Sequence, residues 1–340
     1  AAFSTRGGVS SMDTSTSLRL LEWLTYHLYI AKFDHVYVYD NTEAITTETS
    51  LKPILDLFPA DRVTRIPWKH RVCNNNRPMH QNPGERSSQY TAEASCRLRY
   101  GPNTEWIAQL DTDEYLIPAE NFTDIQSFLK ESIEDGKITE NTHILSFFQT
   151  RAVPNIEFLE PYEDDSKECK IKYDNKGGSC LTKKKNVTFL QAYDCERTTL
   201  PKPQYGWRAK KQIYRPKFVW NHFVHYSTVT RRIREAPEEP SQLFVQRRPY
   251  ERRVDELKEG FMVHTKTTYP SGTKGWKNKC QGTTEEDKKK CPIGIPYVNE
   301  SQTRNKGFAC NCYKHSRIQN DLVFRLEDLL RPIVRRYRGD

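Results

Sequence analysis

The first 150 residues alternate between two hydrophobic periodicities. Residues 18–31 place apolar side chains at the spacing of an amphipathic helix, whereas residues 34–40 are a β-branched and aromatic run that predicts a strand. The whole pattern predicts strands over 34–40, 62–68 and 106–110 and helices over 18–31, 50–58 and 87–100. This alternation is typical of an α/β fold with a mostly parallel central sheet and helices on both faces.

The second half of the chain has weaker periodicity and longer loops. Residues 154–210 and 269–312 combine cysteine, proline and charge with little apolar pattern. Regular elements are predicted around these stretches: helices over 121–134 and 317–338, and strands over 143–149, 211–226 and 260–264. The last helix is basic and amphipathic, and Pro332 predicts a break or kink within it.

Two carboxylates follow the strand over 106–110. Asp111 and Asp113 are spaced i, i+2, so both can turn toward one ion where the backbone leaves the pleat. Such oxygen ligands suit hard divalent cations such as Mg²⁺ or Mn²⁺. Asp40 and Asn41 end an earlier strand, and open α/β sheets bind ligands beyond the carboxyl ends of their strands. We therefore expect both acidic pairs at one sheet edge, where a cation would neutralise a departing diphosphate.

Composition narrows the classes of partner. The net charge is +9 and the pI about 9.0, which favours anionic ligands such as nucleotides or acidic glycans. The basic clusters are scattered and none belongs to a recognisable nucleic-acid module, so we expect no nucleic-acid partner. No run of 18 apolar residues is present, so we expect no membrane span within these residues. The chain starts without Met, so we expect a trimmed piece whose membrane anchor lies outside it.

The nine cysteines and the glycosylation sequons favour an oxidising secretory compartment. The sequons are at Asn121, Asn186 and Asn299. The cysteines crowd into 169–195 and 280–312, where disulfides would staple loop-rich segments. A zinc site in the second of these stretches lacks paired C-x2-4-C spacing and ranks below disulfides. Nine is odd, so at least one thiol is free or pairs between chains. The connectivity stays open.

Several motifs are similar to those of glycosyltransferase family 92. The run Trp106-Ile-Ala-Gln-Leu-Asp-Thr-Asp-Glu-Tyr-Leu-Ile-Pro118 resembles the family's Asp-x-Asp-Glu-Phe motif. The opening Glu22-Trp23 with Tyr26-His27 and the strand ending in Asp40-Asn41 resembles the family's first motif. Looser matches are Gln89, Cys96, Lys211 to Pro216 with His225, and His264 with Lys266 and Lys274; Thr265 stands where the family has Tyr.

The resemblance implies one GT-A domain over residues 1–340. Within it we expect a nucleotide-binding half over 1–120, an acceptor-binding half with cysteine-rich loops over 121–315, and a basic C-terminal helix over 316–340. It also implies a divalent metal, usually Mn²⁺, and an inverting transfer of galactose from UDP-galactose to a glycan. The expected location is the Golgi lumen, as a type II membrane protein ectodomain, or outside the cell.

The resemblance also suggests roles for individual residues. Asp113 would bind the metal, and Asp111 would bind it directly or through water and contact the ribose. The late histidine, His264, would be the third protein ligand; a half-buried strand-end histidine explains it equally well. Further expected donor contacts are Asp40 and Asn41 at the uridine or ribose, Arg6 at the uracil, and Lys266, Lys274 and Lys277 at the phosphates.

The acceptor side is less determined by sequence. An inverting transfer needs a carboxylate general base near the acceptor hydroxyl. The sequence does not choose among Glu157, Glu160, Asp194 and Glu196. Trp220 and His225 would line the acceptor side, where rings stack on sugars, although both are also explained as core residues of a strand.

Three rival functions remain open at this point. A secreted lectin or heparin-binding protein explains the charge, sequons and cysteines, but not two acidic strand ends on one sheet. A glycoside hydrolase needs carboxylates on opposite sides of a sugar, for which Asp111 and Asp113 are poorly placed. A sulfotransferase suits a basic secretory protein, but the sequence has no Gly-rich phosphate loop followed by Lys-Ser/Thr.

Overall fold

A computed structural model describes most of the chain. The described residues are 2–4, 14–40, 51–68, 85–119, 121–151, 158–161, 180–184, 186–193, 210–223, 226–230, 244–245, 250–256, 258–265, 271–272 and 318–339. Helices and sheets are both present, so the mixed α/β class is confirmed.

The helices are close to those that the periodicity predicts. Their bounds are α1 Thr14–Thr25, α2 Lys52–Leu55, α3 Glu85–Tyr100, α4 Ile125–Glu134, α5 Phe189–Ala192 and α6 Val323–Arg338. A π-helical turn, Tyr26–Ile30, continues α1, and a second one, Ile318–Leu322, precedes α6. Pro332 lies inside α6 without ending it. None of the helices in the described part of the chain is long and apolar enough to cross a bilayer.

The strands are short and more numerous than the sequence predicts. Their bounds are β1 Ala2–Ser4, β2 Val36–Asp40, β3 Val63–Pro67, β4 Ile107–Ala108, β5 Glu114–Pro118, β6 Ile144–Arg151, β7 Leu159–Pro161, β8 Cys180–Lys183, β9 Lys210–Tyr214, β10 Val219–Phe223, β11 Tyr226–Thr230, β12 Phe244–Val245, β13 Glu251–Arg253, β14 Gly260–His264 and β15 Ser271–Gly272. Two small antiparallel sheets join β10-β11-β12 and β15-β8-β7.

The first sheet is parallel, as the alternating pattern predicts. Strand β2 lies between β1 and β3, with Val38 opposite both Phe3 and Arg65. Val36, Val38 and Tyr39 of β2 are buried, which is typical of a central strand in a parallel sheet.

The larger sheet is mixed, so the prediction of a mostly parallel central sheet is wrong. Its strand order is β4-β9-β6-β14-β5, with β13 also paired to β6. Strand β9 runs antiparallel to both β4 and β6, and β14 runs antiparallel to β5 but parallel to β6. The strand predicted over 106–110 shrinks to Ile107–Ala108, and the acidic turn is followed at once by β5, whose five residues are all buried.

This arrangement also corrects the expected position of Asp40. In the described residues, Asp40 ends β2 of the parallel sheet, whereas Asp111 follows β4 of the mixed sheet. The two acidic positions therefore do not end neighbouring strands of one sheet. Periodicity predicts strands, but it does not say with which partner each strand pairs.

A shared core lies between α1, the mixed sheet and α6. Leu21, Trp23 and Leu24 of α1 are completely buried, and α1 packs against α6. Burial of each such side chain stabilises the fold by about 1.5–3 kcal/mol. The Trp23 indole donates to the Glu114 carbonyl at 2.8 Å, and the Tyr26 hydroxyl donates to the Leu116 carbonyl at 3.0 Å. These bonds attach the first helical segment to β5, directly behind the acidic turn.

Two of the three sequon asparagines and one cysteine side chain lie among the described residues. Asn121 and Asn186 are exposed, as glycosylation would require, and Asn299 lies outside the described residues. Cys96 is a buried free thiol, and burial raises its pKa to about 12. Of the nine cysteines, Cys96 is the one whose side chain is described, so the disulfides stay a prediction.

Candidate active site

The acidic motif forms a tight turn between β4 and β5. The Glu114 amide donates to the Asp111 carbonyl at 3.0 Å, which closes the turn. In return, the Asp111 amide donates to the Glu114 carboxylate at 2.9 Å. The backbone of the motif is therefore held by its own residues, and the carboxylates of Asp111 and Asp113 are presented in different directions.

One side of the turn meets the end of β14. Because β5 and β14 are antiparallel, the first residue of β5, Glu114, lies opposite the last residue of β14, His264. The Asp113 carboxylate Oδ2 and His264 Nε2 are 3.0 Å apart. Burial raises the pKa of Asp113, but the hydrogen bond and charge of His264 lower it by more, so that its pKa lies well below the usual range.

The other side of the turn meets a buried lysine from β9. Lys211 Nζ lies 3.2 Å from the Asp111 carboxylate and 3.0 Å from that of Glu114. Burial lowers the pKa of Lys211, but the two carboxylates raise it by more, and the ammonium is retained. Burial raises the pKa of Glu114 to about 7, against the pull of Lys211. This side is a compact cluster of one ammonium and two carboxylates.

Helix α3 contributes Gln89 and Glu93 beside Asp111, and Gln109, which follows β4, joins them. Gln89 donates to Asp111 Oδ1 at 3.4 Å and to Glu93 at 3.2 Å. Gln109 donates to the Glu93 carbonyl at 3.1 Å and to the Tyr214 hydroxyl at 3.0 Å. The orientation of Asp111 is thus fixed from two elements, α3 and β9.

The donor set of the turn fits a divalent cation. Among the described residues, ligand atoms of Asp113, Glu114 and His264 lie within 4.8 Å of one another. Asp113 and His264 are joined by a hydrogen bond of 3.0 Å, and adjacent ligands around an ion with bonds of about 2.1 Å lie at a similar separation. The Glu114 carboxylate instead accepts from Lys211 and the Asp111 amide, so it serves the turn more directly than an ion.

Comparison with protein families identifies the chain. The model of glycosyltransferase family 92 matches residues 9–301. The chain belongs to glycosyltransferase family 92. This membership confirms the resemblance of the motifs and means that the reaction class is glycosyl transfer from a nucleotide sugar to a glycan. Comparison with individual curated proteins gives no significant match.

The family assignment leaves the expected donor contact of Asp40 as a prediction. The Asp40 carboxylate is buried and forms an ion pair of 2.7 Å with Arg65 of β3. That pair accounts for a buried charge at the end of β2, so a ribose would have to share Asp40 with Arg65. Asn41, the adjacent expected contact, lies outside the described residues.

The acceptor side of this family 92 chain is only partly described. Trp220 of β10 is 52% exposed, so it is not a core residue and its ring is accessible to a sugar. Glu160 lies in β7, but its side chain is not described. The other expected residues lie outside the described part: Arg6, Glu157, Asp194, Glu196, His225, Lys266, Lys274 and Lys277.

Several residues at the site were missed by sequence reasoning. The sequence motif includes Glu114 but indicates no role for it, and it marks Lys211 and Gln89 only as motif members. It indicates no role for Arg19 or for the hydroxyl of Thr265. A signal existed for Glu114 and Lys211, because charged residues inside otherwise apolar strands are rarely buried without a partner. Arg19 carries no such signal, because it is a single charged position within a helix.

Proposed function

We propose that the chain is an inverting, metal-dependent galactosyltransferase that moves galactose from UDP-galactose to a glycan or polysaccharide acceptor. Family membership supports glycosyl transfer, and the Asp113–His264 pair at 3.0 Å supports the metal. The second observation carries the proposal, because a carboxylate and an imidazole at that separation present two adjacent ligands to one cation. The lectin alternative receives no support from the family.

In this proposal, Asp113 and His264 hold Mn²⁺ or Mg²⁺ beside the diphosphate. A bound metal would stabilise the negative charge that develops on the leaving nucleotide. Asp111 binds the cation directly or through water and contacts the ribose, and its carboxylate is oriented by Lys211 and Gln89. Lys266 and Lys274, shortly after His264 in the chain, add positive charge near the phosphates.

The chain's residues also keep the donor side ordered before substrate arrives. Lys211 keeps the carboxylates of Asp111 and Glu114 in place, so the turn is preorganised. The acceptor base comes from the carboxylates of the 154–196 segment, Glu157, Glu160, Asp194 or Glu196. Its task is to take the proton of the acceptor hydroxyl as that oxygen attacks the anomeric carbon from the face opposite the nucleotide.

The donor is tested by a screen of UDP- and GDP-sugars. We expect Mn²⁺-dependent hydrolysis to be fastest with UDP-galactose. Faster turnover of UDP-arabinose or UDP-N-acetylglucosamine would replace galactose and leave the metal site in place. Full wild-type activity after exhaustive chelation would refute the metal role. A chain that hydrolyses none of these donors would contradict the proposed transfer itself.

The proposed setting is the Golgi lumen or the outside of the cell. It is supported by the exposed sequon residues Asn121 and Asn186 and by the cysteine-rich stretches. Secreted expression followed by removal of N-glycans should increase electrophoretic mobility. A chain with no attached glycan at either asparagine would count against this location.

A further inference from the structure

Arg19 is a buried cation that joins the two backbone segments carrying the proposed metal ligands. It lies in α1 and is 3% exposed. Its Nε donates to the Thr112 carbonyl at 3.1 Å, inside the acidic turn. Its Nη2 donates to the Thr265 carbonyl at 2.6 Å and contacts the Thr265 hydroxyl. One guanidinium therefore bonds the residue before Asp113 and the residue after His264.

Thr265 completes the connection from the other direction. Its amide donates to the Asp113 carbonyl at 2.7 Å, and its hydroxyl donates to the same carbonyl at 3.1 Å. The Thr265 hydroxyl also accepts from Arg19. The backbone at Asp113 is thus held by Thr265, and both are held by Arg19.

The physical cost of this arrangement argues for a specific role. A buried guanidinium loses its hydration, which costs free energy. Arg19 offsets part of this cost through its hydrogen bonds and through the Phe189 ring, whose centroid lies 4.7 Å from its Cζ. Its Nη1 is buried without a hydrogen-bond partner among the described residues. An arginine placed only for stability gains little from an unpaired buried donor. The planar fork, by contrast, suits two acceptors in fixed directions.

We infer that Arg19 is a positioning residue that sets the separation of Asp113 and His264 by clamping Thr112 and Thr265. The inference rests on the proposed metal-dependent function. It adds a residue from the first helix to a site otherwise built from β5, β9, β14 and α3. Outer partners that orient metal ligands typically change metal affinity about 10- to 100-fold when they are removed.

The test compares Thr265→Val with Thr265→Ser and Arg19→Met with Arg19→Lys. Thr265→Val removes the hydroxyl but keeps the hydrogen bond from the backbone amide of residue 265 to the Asp113 carbonyl, so we expect the fold to be retained. Thr265→Ser keeps a hydroxyl at this position. Arg19→Lys keeps the charge but loses the two-pronged fork. A matched control is Arg62→Met, because Arg62 also donates to backbone carbonyls, those of Asp34, Leu28 and Phe33, away from the site.

The readout is Mn²⁺ affinity in the presence of UDP, measured from the electron paramagnetic resonance signal of free Mn²⁺. The midpoint of thermal unfolding is measured alongside. We expect Thr265→Val and both Arg19 variants to weaken Mn²⁺ binding about tenfold or more. Thr265→Ser should restore it, and Arg62→Met should lower thermal stability without changing Mn²⁺ affinity.

Three outcomes are decisive. Wild-type protein that binds no Mn²⁺ with UDP would refute the proposed function, and the inference with it. If the wild-type protein binds Mn²⁺ and both Thr265→Val and Thr265→Ser bind it with the same affinity, the positioning role alone is refuted. Full rescue by Arg19→Lys would show that Arg19 acts through its charge and would also overturn the clamp.

Discussion

The two sides of the acidic turn each place a carboxylate beside a basic side chain, but the basic side chain differs: it is a lysine on one side and a histidine on the other. On the β9 side, Asp111 and Glu114 surround Lys211; the Lys211 and Glu114 side chains are 2% and 1% exposed, and Asp111 at the rim is 18% exposed. On the β14 side, Asp113 meets His264, and their side chains are 25% and 11% exposed. The closed side, at Lys211, contains a buried ammonium, whereas the open side, at His264, contains a carboxylate and an imidazole that are both partly exposed.

This difference separates support from chemistry. A lysine inside the turn contacts both carboxylates that shape it and offsets part of their charge, so the turn can form without a ligand. Asp113 and His264 keep their capacity for a mobile cation at the accessible edge. Glu114, which is buried against Lys211, shapes the turn, whereas Asp113, beside His264, is the proposed metal ligand.

The largest expected effect comes from the open side. Asp113→Ala removes a proposed metal ligand, so turnover of the UDP-sugar should fall by about a thousandfold or more, on the order of 4 kcal/mol in the barrier. The unfolding free energy should change far less. Steady-state rates and chemical denaturation measure the two quantities.

The control for this variant is Asp135→Ala, which removes an exposed carboxylate paired with Lys137. It should change neither rate nor stability appreciably. Wild-type turnover in Asp113→Ala would remove the distinction between the two sides.

The second effect comes from the closed side and has the opposite character. Lys211→Met leaves the carboxylates of Asp111 and Glu114 without their buried counter-charge. We expect a loss of about 3–5 kcal/mol in unfolding free energy, measured by denaturant titration. Lys52→Met is the matched control, because Lys52 and Asp56 form an exposed pair, and it should cost less than about 1 kcal/mol. Equal effects of the two variants would show that the turn does not depend on Lys211.

The last prediction concerns a buried ionisable group, His27, that has no counter-charge among the described residues. His27 packs against Trp23, Tyr26 and Tyr115, and burial lowers its pKa to about 3. Above pH 6.5 it is neutral in both states and has no effect. As pH falls from about 6.5 toward 3, the unfolded chain takes up a proton that the folded chain refuses. Stability should therefore fall by up to about 1.4 kcal/mol per pH unit.

His27→Phe should flatten this part of the pH–stability curve, as measured by denaturant titration between pH 4 and 7. His35→Phe is the comparison, since His35 is half-buried and its pKa is also lowered by burial, so its influence should be smaller. An unchanged slope in His27→Phe would mean that another group governs the acid sensitivity. The burial of His27 would then not explain the loss of stability at low pH.

The sequence predicts local elements better than their pairing. The helix over 18–31 and the strand Gly260–His264 appear where periodicity places them, because each is determined by neighbouring side chains. Strand β5 was missed because its residues are buried on both faces and follow the motif without a break. The antiparallel pairing of β5 with β14 depends on contacts about 150 residues apart, which no local pattern contains.

The candidate site divides in the same way. Asp111 and Asp113 follow one predicted strand and His264 ends another, so residue type and position are enough to select them. The partners of Lys211 and Arg19 depend on which strands and helices meet at the turn. A single arginine on a helix has many possible neighbours, and only the three-dimensional arrangement shows that Arg19 reaches Thr112 and Thr265.

The most direct test of the account is calorimetric titration of UDP into the wild-type chain and into Asp113→Ala, each with Mn²⁺ and after chelation. We predict that wild-type protein binds UDP with Mn²⁺, and that chelation and Asp113→Ala each remove most of that affinity. UDP binding that is unchanged by chelation and by Asp113→Ala would contradict a metal site at the open side of the turn. Absence of UDP binding under every condition would contradict the nucleotide-sugar site itself.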